Sequence, residues 1–114
     1  MDSLIFGKIN SLRDRYSFNA IQSSSIEVKI VGSHSVFYFS ILIKKEYVLD
    51  EDCDEVVIEI HSKNSASYDI DVSDSQGNIY YENRDVNDCL EINNSIEESY
   101  LITMEVLKNI SNIS

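Results

Sequence analysis

The chain has 114 residues, a net charge of −11 and 43% hydrophobic residues, with no Pro, no Trp and only three Gly. This length and the lack of a candidate linker indicate a single domain, residues 1–114. The negative charge argues against nucleic-acid binding, because affinity for phosphates depends on Lys and Arg.

The charge is unevenly distributed along the chain. Six Lys/Arg and three Asp/Glu precede Glu46, whereas three Lys/Arg and seventeen Asp/Glu follow from Glu46 onward. Self-repulsion of such an excess does not help a compact state. It therefore favours a role in solubility or in binding a basic partner.

The N-terminus lacks the basic start, the apolar run and the small-residue cleavage site of a secretory signal. The longest apolar run, residues 36–43, is far shorter than the ~18 residues needed to span a bilayer. We therefore expect a cytoplasmic protein without membrane association. In that compartment Cys53 and Cys89 are expected to be reduced thiols, and a disulfide between them is the alternative.

The first predicted element is a short amphipathic helix capped by Asp2 or Ser3. Its apolar residues recur every three or four positions and so share one face. They are Ile5, Ile9, Leu12 and Tyr16.

From residue 26 the apolar period changes to two, which predicts strands. We expect strands at residues 26–30, 35–43, 56–61, 68–72, 79–82 and 100–106, and a short edge strand at 90–92. Residues 35–43 are apolar on both faces, which predicts a central strand covered twice. Gly77 can adopt positive φ in a turn that leads to the strand at 79–82. The pattern predicts a mainly β fold, an antiparallel β-sandwich or a curved sheet with one short N-terminal helix, and mixed α+β is the alternative.

One hairpin has a testable register. If residues 56–61 pair with 68–73 so that residue 60 lies opposite residue 70, Glu59 faces Asp71 and His61 faces Asp69. Like charges in opposite positions destabilise a sheet. A cationic partner would therefore reduce the repulsion between the carboxylates on a face that holds these residues and Glu82. The alternative is an ordinary solvated face whose repulsion is screened by salt.

A second acidic cluster lies in residues 50–55, ahead of the strand at 56–61. It can dock on a basic groove by accepting hydrogen bonds from Arg, or it can serve only to keep an edge strand from pairing. Tyr80 and Tyr38 are candidate aromatic anchors of an interface. The expected partner-binding residues are Asp50, Glu51, Asp52, Asp54, Glu55, Glu59, Asp69, Asp71, Asp74, Tyr80 and Glu82.

Catalysis is not expected. His34 and His61 are the only acid–base groups that titrate near neutral pH, and no known catalytic motif surrounds a nucleophile. The carboxylates around Cys53 disfavour its thiolate. The acidic spacing from Asp71 to Glu82 matches an EF-hand loop only in part, because the Gly comes one place late. We therefore expect no cofactor and no dedicated metal site.

The small size, the absence of an export signal or catalytic motif, and the acidic segments 50–55 and 69–74 together resemble bacterial immunity proteins. Such proteins neutralise a toxin domain delivered between cells, as in contact-dependent growth inhibition. The resemblance implies binding to one cognate toxin, commonly a basic nuclease, with its active site or substrate groove blocked.

Two other classes stay open at this point. One is a non-catalytic β-sandwich module that binds carbohydrate or calcium, which would call for an exposed aromatic platform and an export route. The other is a structural subunit of a larger assembly, which would oligomerise when purified.

Overall fold

The computed structural model describes residues 2–15, 21–32, 34–44, 46, 54–64 and 67–110. Its elements are α1 (Asp2–Arg13), β1 (Ile21–Val31), β2 (His34–Ile43), β3 (Glu55–Asn64), β4 (Ser67–Asp74), β5 (Ile79–Val86) and α2 (Cys89–Ile110). The strands form one antiparallel sheet in the order β1-β2-β3-β4-β5. The predicted mainly β fold with a short N-terminal helix is confirmed, and the sheet is open, with a second helix at its C-terminal end.

One face of the sheet, here called the inner face, carries the core. Strands β2, β3 and β4 each bury alternate apolar side chains there, as the period of two requires. Helix α2 packs against β3, β4 and β5, and α1 packs against α2 and β1. The core residues of β2, β3 and β4 are Phe37, Phe39, Ile41, Ile43, Val56, Ile58, Ile60, Tyr68, Ile70 and Val72, and β5 adds Val86.

Helix α1 forms as its apolar spacing predicts. Ile5, Ile9 and Leu12 have no exposed surface and belong to the same core as the strands. Because these residues lie three or four positions apart, one stripe of the helix is buried while Lys8 and Arg13 remain outside the core. Tyr16, the last residue of the predicted stripe, lies outside the described residues.

The prediction of strands at residues 90–92 and 100–106 is wrong, because both segments belong to α2. Asp88 caps this helix: its side-chain Oδ1 accepts a hydrogen bond from the amide of Leu90 at 2.8 Å, and its carbonyl accepts one from the amide of Ile92. Glu91 stands three residues after the cap, where a capping box has its acidic residue. The buried residues of α2 then recur at helical spacing: Ile92, Ser95, Ile96, Ser99, Tyr100, Thr103, Val106 and Leu107.

Helix α2 also explains why no second sheet forms within the described residues, since it occupies the place of the predicted sandwich's other layer. The hydroxyl groups of two buried residues of α2 form hydrogen bonds with backbone carbonyls of the same helix. Ser99 Oγ donates to the Ile96 carbonyl, and Thr103 Oγ1 donates to the Ser99 carbonyl, each at 2.7 Å. Polar residues at these buried positions are therefore compatible with the core.

The predicted register of the β3–β4 hairpin is confirmed at each pair. Ile60 lies opposite Ile70, Glu59 opposite Asp71 and His61 opposite Asp69. The following turn has Gly77 at a φ of 87°, and the return strand β5 extends beyond the predicted residues 79–82.

Strand β2 lies inside the sheet between β1 and β3, as predicted. It is not evenly covered on both sides. On the face away from the core Val36 is buried, Tyr38 is half-buried, and Leu42 is exposed. The prediction of complete cover on both faces is therefore wrong.

Within the described residues, neither helix combines the length and the apolar character that crossing a membrane requires.

Candidate interaction surface

The face of the sheet opposite the core, here called the outer face, carries a row of four acidic residues and one tyrosine across the five strands. Glu27 pairs with Tyr38, Tyr38 with Glu59, Glu59 with Asp71, and Asp71 with Glu82. Residues paired in this way project from the same face at neighbouring positions. These five residues, one from each strand, are called the acidic row below.

The alternation of the strands explains why the acidic row lies outside. In β3 and β4 each acid of the row stands next to a buried apolar residue, as Glu59 does between Ile58 and Ile60. Since successive side chains point to opposite faces, burial of the apolar set against the helices places the acids on the other face. Within the part of the chain that the structure describes, both helices join the core of the inner face.

Arg84 of β5, a cation of the same chain, neutralises part of the charge of the acidic row. Its Nη2 lies 3.0 Å from Glu82 Oε1, its Nη1 donates to Asp71 Oδ2 at 3.1 Å, and Nη1 lies 3.6 Å from Asp69 Oδ2. Asp71 Oδ1 also lies 2.9 Å from Nη2, an ion-pair contact. The hydrogen bond with Asp71 raises the pKa of Arg84, and Glu82 adds to that effect.

Lys63 of β3 provides a second internal cation. Its Nζ lies 2.8 Å from Asp85 Oδ1 and 3.9 Å from Asp69 Oδ1. The hydrogen bond with Asp85, followed by the charge of Asp69, raises the pKa of Lys63. Asp85 has a φ of 56°, and its amide donates to Asp69 Oδ1 at 3.1 Å where the β4–β5 register shifts. A bulge thus brings Asp85 next to these charges.

The middle of the acidic row is less neutralised than its β5 end. Glu59 Oε1 lies 3.8 Å from Nδ1 of His61, which carries charge only when protonated. Glu27 Oε1 lies 3.7 Å from Lys29 Nζ, and both side chains are more than half exposed. Such exposed pairs contribute little and are screened by salt. Among the described residues, Glu59 is therefore the acid of the row whose side-chain partner in this chain carries the weakest countercharge.

Tyr38 separates Glu27 from Glu59 within the acidic row. Lys29 Nζ lies 5.2 Å from the centroid of its ring, within the range of a cation–π contact. A half-buried tyrosine between two carboxylates offers an aromatic surface beside acceptors for hydrogen bonds. This combination suits the aliphatic stem and the guanidinium of an arginine.

The predicted binding residues Asp74 and Tyr80 lie away from the acidic row, at the turn between β4 and β5. The Asp74 carboxylate is 7% exposed and accepts hydrogen bonds from the amides of Gln76 and Asn78 and from the Tyr80 hydroxyl. Asn78 Nδ2 donates to it as well. Since the turn already uses this carboxylate, Asp74 and Tyr80 stabilise the hairpin, and we leave them out of the interaction surface.

The second predicted cluster is only partly described. Asp50, Glu51 and Asp52 lie outside the described residues. The Asp54 carbonyl accepts a hydrogen bond from the amide of Ile43, and the Glu55 carbonyl accepts one from the amide of Ser75. Their backbones therefore join the start of β3 to neighbouring segments, and both residues are half-buried.

Two basic residues near the N-terminus meet an acid of α2. Arg15 Nη1 lies 2.7 Å from Glu97 Oε1, and Lys8 Nζ lies 2.5 Å from the same oxygen. The Arg15 guanidinium also lies 4.1 Å from the centroid of Tyr100. The hydrogen bonds from Arg15 and then Lys8 lower the pKa of Glu97. This cluster joins α1 to α2.

The groups considered for catalysis are dispersed. His34 is half-buried in β2, and its Nδ1 has no hydrogen-bond partner among the described residues, whereas His61 stands on the outer face beside Glu59. Cys89 is an exposed free thiol at the start of α2, and Cys53 lies outside the described residues. Among the described side chains, no group of three His, Cys, Asp or Glu is arranged to hold a metal ion.

Sequence reasoning found Glu59, Asp69, Asp71 and Glu82 but not the cations between them. The spacing of Arg84 two residues after Glu82 in a strand was the available signal, since residues at i and i+2 share a face. It also missed Glu27, because the pairing of β1 with β2 had not been placed in register.

No family model, curated protein or solved structure matches this chain.

Proposed function

We propose that the protein is a non-enzymatic inhibitor that binds a basic partner protein through its outer face. The acidic row is the observation that carries this proposal. It places four carboxylates and a tyrosine in register across a sheet face that neither described helix covers.

The cations of this chain support one position on the acidic row as the binding position of a partner. Arg84 and Lys63 form ion pairs with Asp69, Asp71, Glu82 and Asp85, so these acids contribute mainly to the surrounding field. Among the described residues, the group that can supply a countercharge to Glu59 is the His61 imidazole, whose Nδ1 lies 3.8 Å from Glu59 Oε1. We expect a partner Arg or Lys to bind at Glu59 beside Tyr38, because forming that pair does not require an existing strong pair to break.

The excess of acidic residues from Glu46 onward supports a role in association. A net charge of −11 attracts a basic partner over distances of about a Debye length and speeds the encounter. Close contacts at the acidic row then determine how slowly the complex dissociates.

The resemblance to immunity proteins makes a basic toxin domain, commonly a nuclease, the partner to test first. A nuclease binds phosphates with Lys and Arg, and carboxylates presented in a row compete for the same groups. Binding over the substrate groove would then block the toxin without any chemistry on the part of this chain.

Affinity capture with the tagged full chain tests the proposal, at about 50 mM and about 500 mM salt because charge pairing at a surface is screened. We expect a basic protein to be retained at low salt and depleted at high salt. Glu59→Lys should abolish retention. Glu105→Lys is the matched control, since it makes the same charge change at an exposed position of α2.

Two results would reject the proposal. One is the absence of a basic partner at either salt concentration. The other is equal loss of the partner in the Glu59→Lys and Glu105→Lys variants, which would assign binding to overall charge and not to the acidic row.

A further inference from the structure

Strand β1 forms one edge of the sheet of described residues, and its pairing with β2 is regular after a register shift between Ile21 and Ser23. It spans Ile21–Val31, and its register with β2 runs without a shift from Ser23 to Val31. An uninterrupted edge presents a row of backbone donors and acceptors that can pair with another strand.

The other edge, β5, is built differently. Its pairing with β4 shifts register twice, and Asp85 takes a positive φ there. Glu82 and Arg84 add charge along the same strand. Bulges and charges of this kind are the usual means by which a sheet edge avoids pairing. The charged residues of β1, in contrast, are only Glu27 and Lys29.

Strand β1 exposes apolar side chains to solvent. Val28 and Ile30 alternate with Glu27 and Lys29, so they share the inner face with Ile26. Ile26 packs against the core, whereas Val28 is 42% and Ile30 is 76% exposed. A β-branched pair this exposed at a sheet edge gains stability when a neighbouring strand covers it.

The backbone of the same residues faces the open edge. Val31 pairs with His34 across a two-residue loop, and the pair that closes such a loop is the hydrogen-bonded one. Alternation along the ladder then directs the amides and carbonyls of Ile26, Val28 and Ile30 away from β2. These are the residues that a further antiparallel strand would bond to.

The sequence of β1 is complementary to itself when it runs antiparallel. Centred on Val28, residues 26–30 read Ile-Glu-Val-Lys-Ile. A second copy in the same register places Glu27 opposite its Lys29, and Ile26 opposite its Ile30. Opposite charges therefore meet on the outer face and apolar residues meet on the inner face, which is the arrangement that stabilises cross-strand pairs.

We propose that two copies of this chain join edge to edge through β1, antiparallel and centred on Val28, to form one continuous ten-stranded sheet. The interface is isologous, since the same residues serve both copies. Each copy has one exposed pair of Glu27 and Lys29, 3.7 Å apart, and the dimer exchanges these two pairs within the chains for two pairs between them. This inference does not depend on the proposed inhibitor function.

The geometry of such a dimer has a consequence for the outer face. A two-fold axis that relates antiparallel neighbours within one sheet is perpendicular to that sheet. The outer faces of both copies therefore lie on the same side, and their acidic rows become adjacent.

The test is the dimer dissociation constant of the full chain, measured by sedimentation equilibrium. Glu27→Lys places two lysines opposite each other at two symmetric positions, and Lys29→Glu does the same with glutamates. We expect each single variant to weaken the dimer by roughly tenfold. The double variant E27K/K29E restores opposite charges and should dimerise like the unaltered chain.

Mixing the two single variants gives a sharper result. At positions 27 and 29, the two lysines of the first variant would face the two glutamates of the second. An equimolar mixture should therefore form heterodimers more tightly than either variant dimerises alone. Ile30→Lys, at a position already 76% exposed, should weaken association without affecting folding, as far-ultraviolet circular dichroism would verify.

A chain that stays monomeric up to about millimolar concentration would overturn the proposal, because an interface that stable assemblies use is far tighter than this. Dimers that respond to neither single charge reversal, or that the double variant and the mixture fail to restore, would overturn it as well, since they would use another surface.

Discussion

The two faces of the sheet follow from the same alternation but are stabilised by different physics. On the inner face, apolar side chains such as Ile58, Ile60 and Ile70 are buried against α1 and α2. On the outer face, acids that lie opposite one another are held by Arg84 and Lys63. The comparison shows that like charges placed in register need not indicate an outside cation, because a neighbouring strand can supply one.

The two faces should differ most in how much a substitution lowers the free energy of unfolding, and two adjacent residues of β3 allow the comparison. Ile60→Ala removes a side chain with no exposed surface and should lower the free energy of unfolding by about 2–5 kcal/mol. Glu59→Ala, on the other face, should cost less than about 1 kcal/mol. Urea denaturation of both variants measures this. Similar losses would mean that the outer face is also part of a packed core.

Removing the Arg84 cation from the outer face should lower the free energy of unfolding by a smaller amount. Arg84→Gln leaves Asp69, Asp71 and Glu82 close together without their shared guanidinium, and should cost about 1 kcal/mol at low salt. Urea denaturation at low salt and in about 1 M salt measures this, and the loss should shrink at the higher concentration because the charges are partly exposed.

The matching control is the double variant R84Q/D71N. It removes both members of the closest pair, so its cost should be less than the sum of the Arg84→Gln and Asp71→Asn costs. Strict additivity of the two substitutions would show that Arg84 and Asp71 do not stabilise each other.

The smallest loss of unfolding free energy is expected when the ion pairs of Glu97 with Lys8 and Arg15 are removed. Their hydrogen bonds lower the pKa of Glu97 from its ordinary value of 4.5, so its contribution is fully present above that pH and is lost as the pH falls through the lowered pKa. Glu97→Gln should therefore cost about 0.5–1 kcal/mol at neutral pH and progressively less in acid.

Unfolding free energies of Glu97→Gln and of the unaltered chain, measured from about pH 7 to about pH 3, check this dependence. Glu105→Gln, at an exposed position of the same helix, is the control and should show no such trend. A difference that stays constant with pH would assign the effect of Glu97→Gln to packing instead of charge.

Local patterns were sufficient for most of the sheet and for α1. Apolar residues that alternate, as in β3 and β4, determine both the faces and the register, because a shift of one residue would expose Ile60 and Ile70. The spacing of Ile5, Ile9 and Leu12 similarly determined the buried stripe of α1.

Helix α2 was missed for a physical reason. Residues 100–106 alternate over a short window, and the buried Ser95, Ser99 and Thr103 hide the helical period from a reading of apolar residues alone. The capping signal at Asp88 and Glu91 was present and would have identified the start of the helix.

The charge pairing of the outer face could not be derived from the sequence in the same way. It depends on β5 lying beside β4, on the bulge at Asp85 and on the reach of Arg84 across both strands. These are tertiary features, and no single segment contains them. The role of Asp74, in contrast, is local: its carboxylate accepts hydrogen bonds from the amides of Gln76 and Asn78 in the turn that follows, and the turn sequence of residues 74–78 was the available signal against a binding role.

The most direct test of the outer face uses the captured partner in purified form. Its affinity for the unaltered chain, for Glu59→Lys and for Glu105→Lys would be measured by isothermal titration calorimetry at low salt. We predict that Glu59→Lys weakens binding at least about tenfold while Glu105→Lys changes it by less than about threefold. Equal weakening by both variants, or none by Glu59→Lys, would contradict binding at the acidic row.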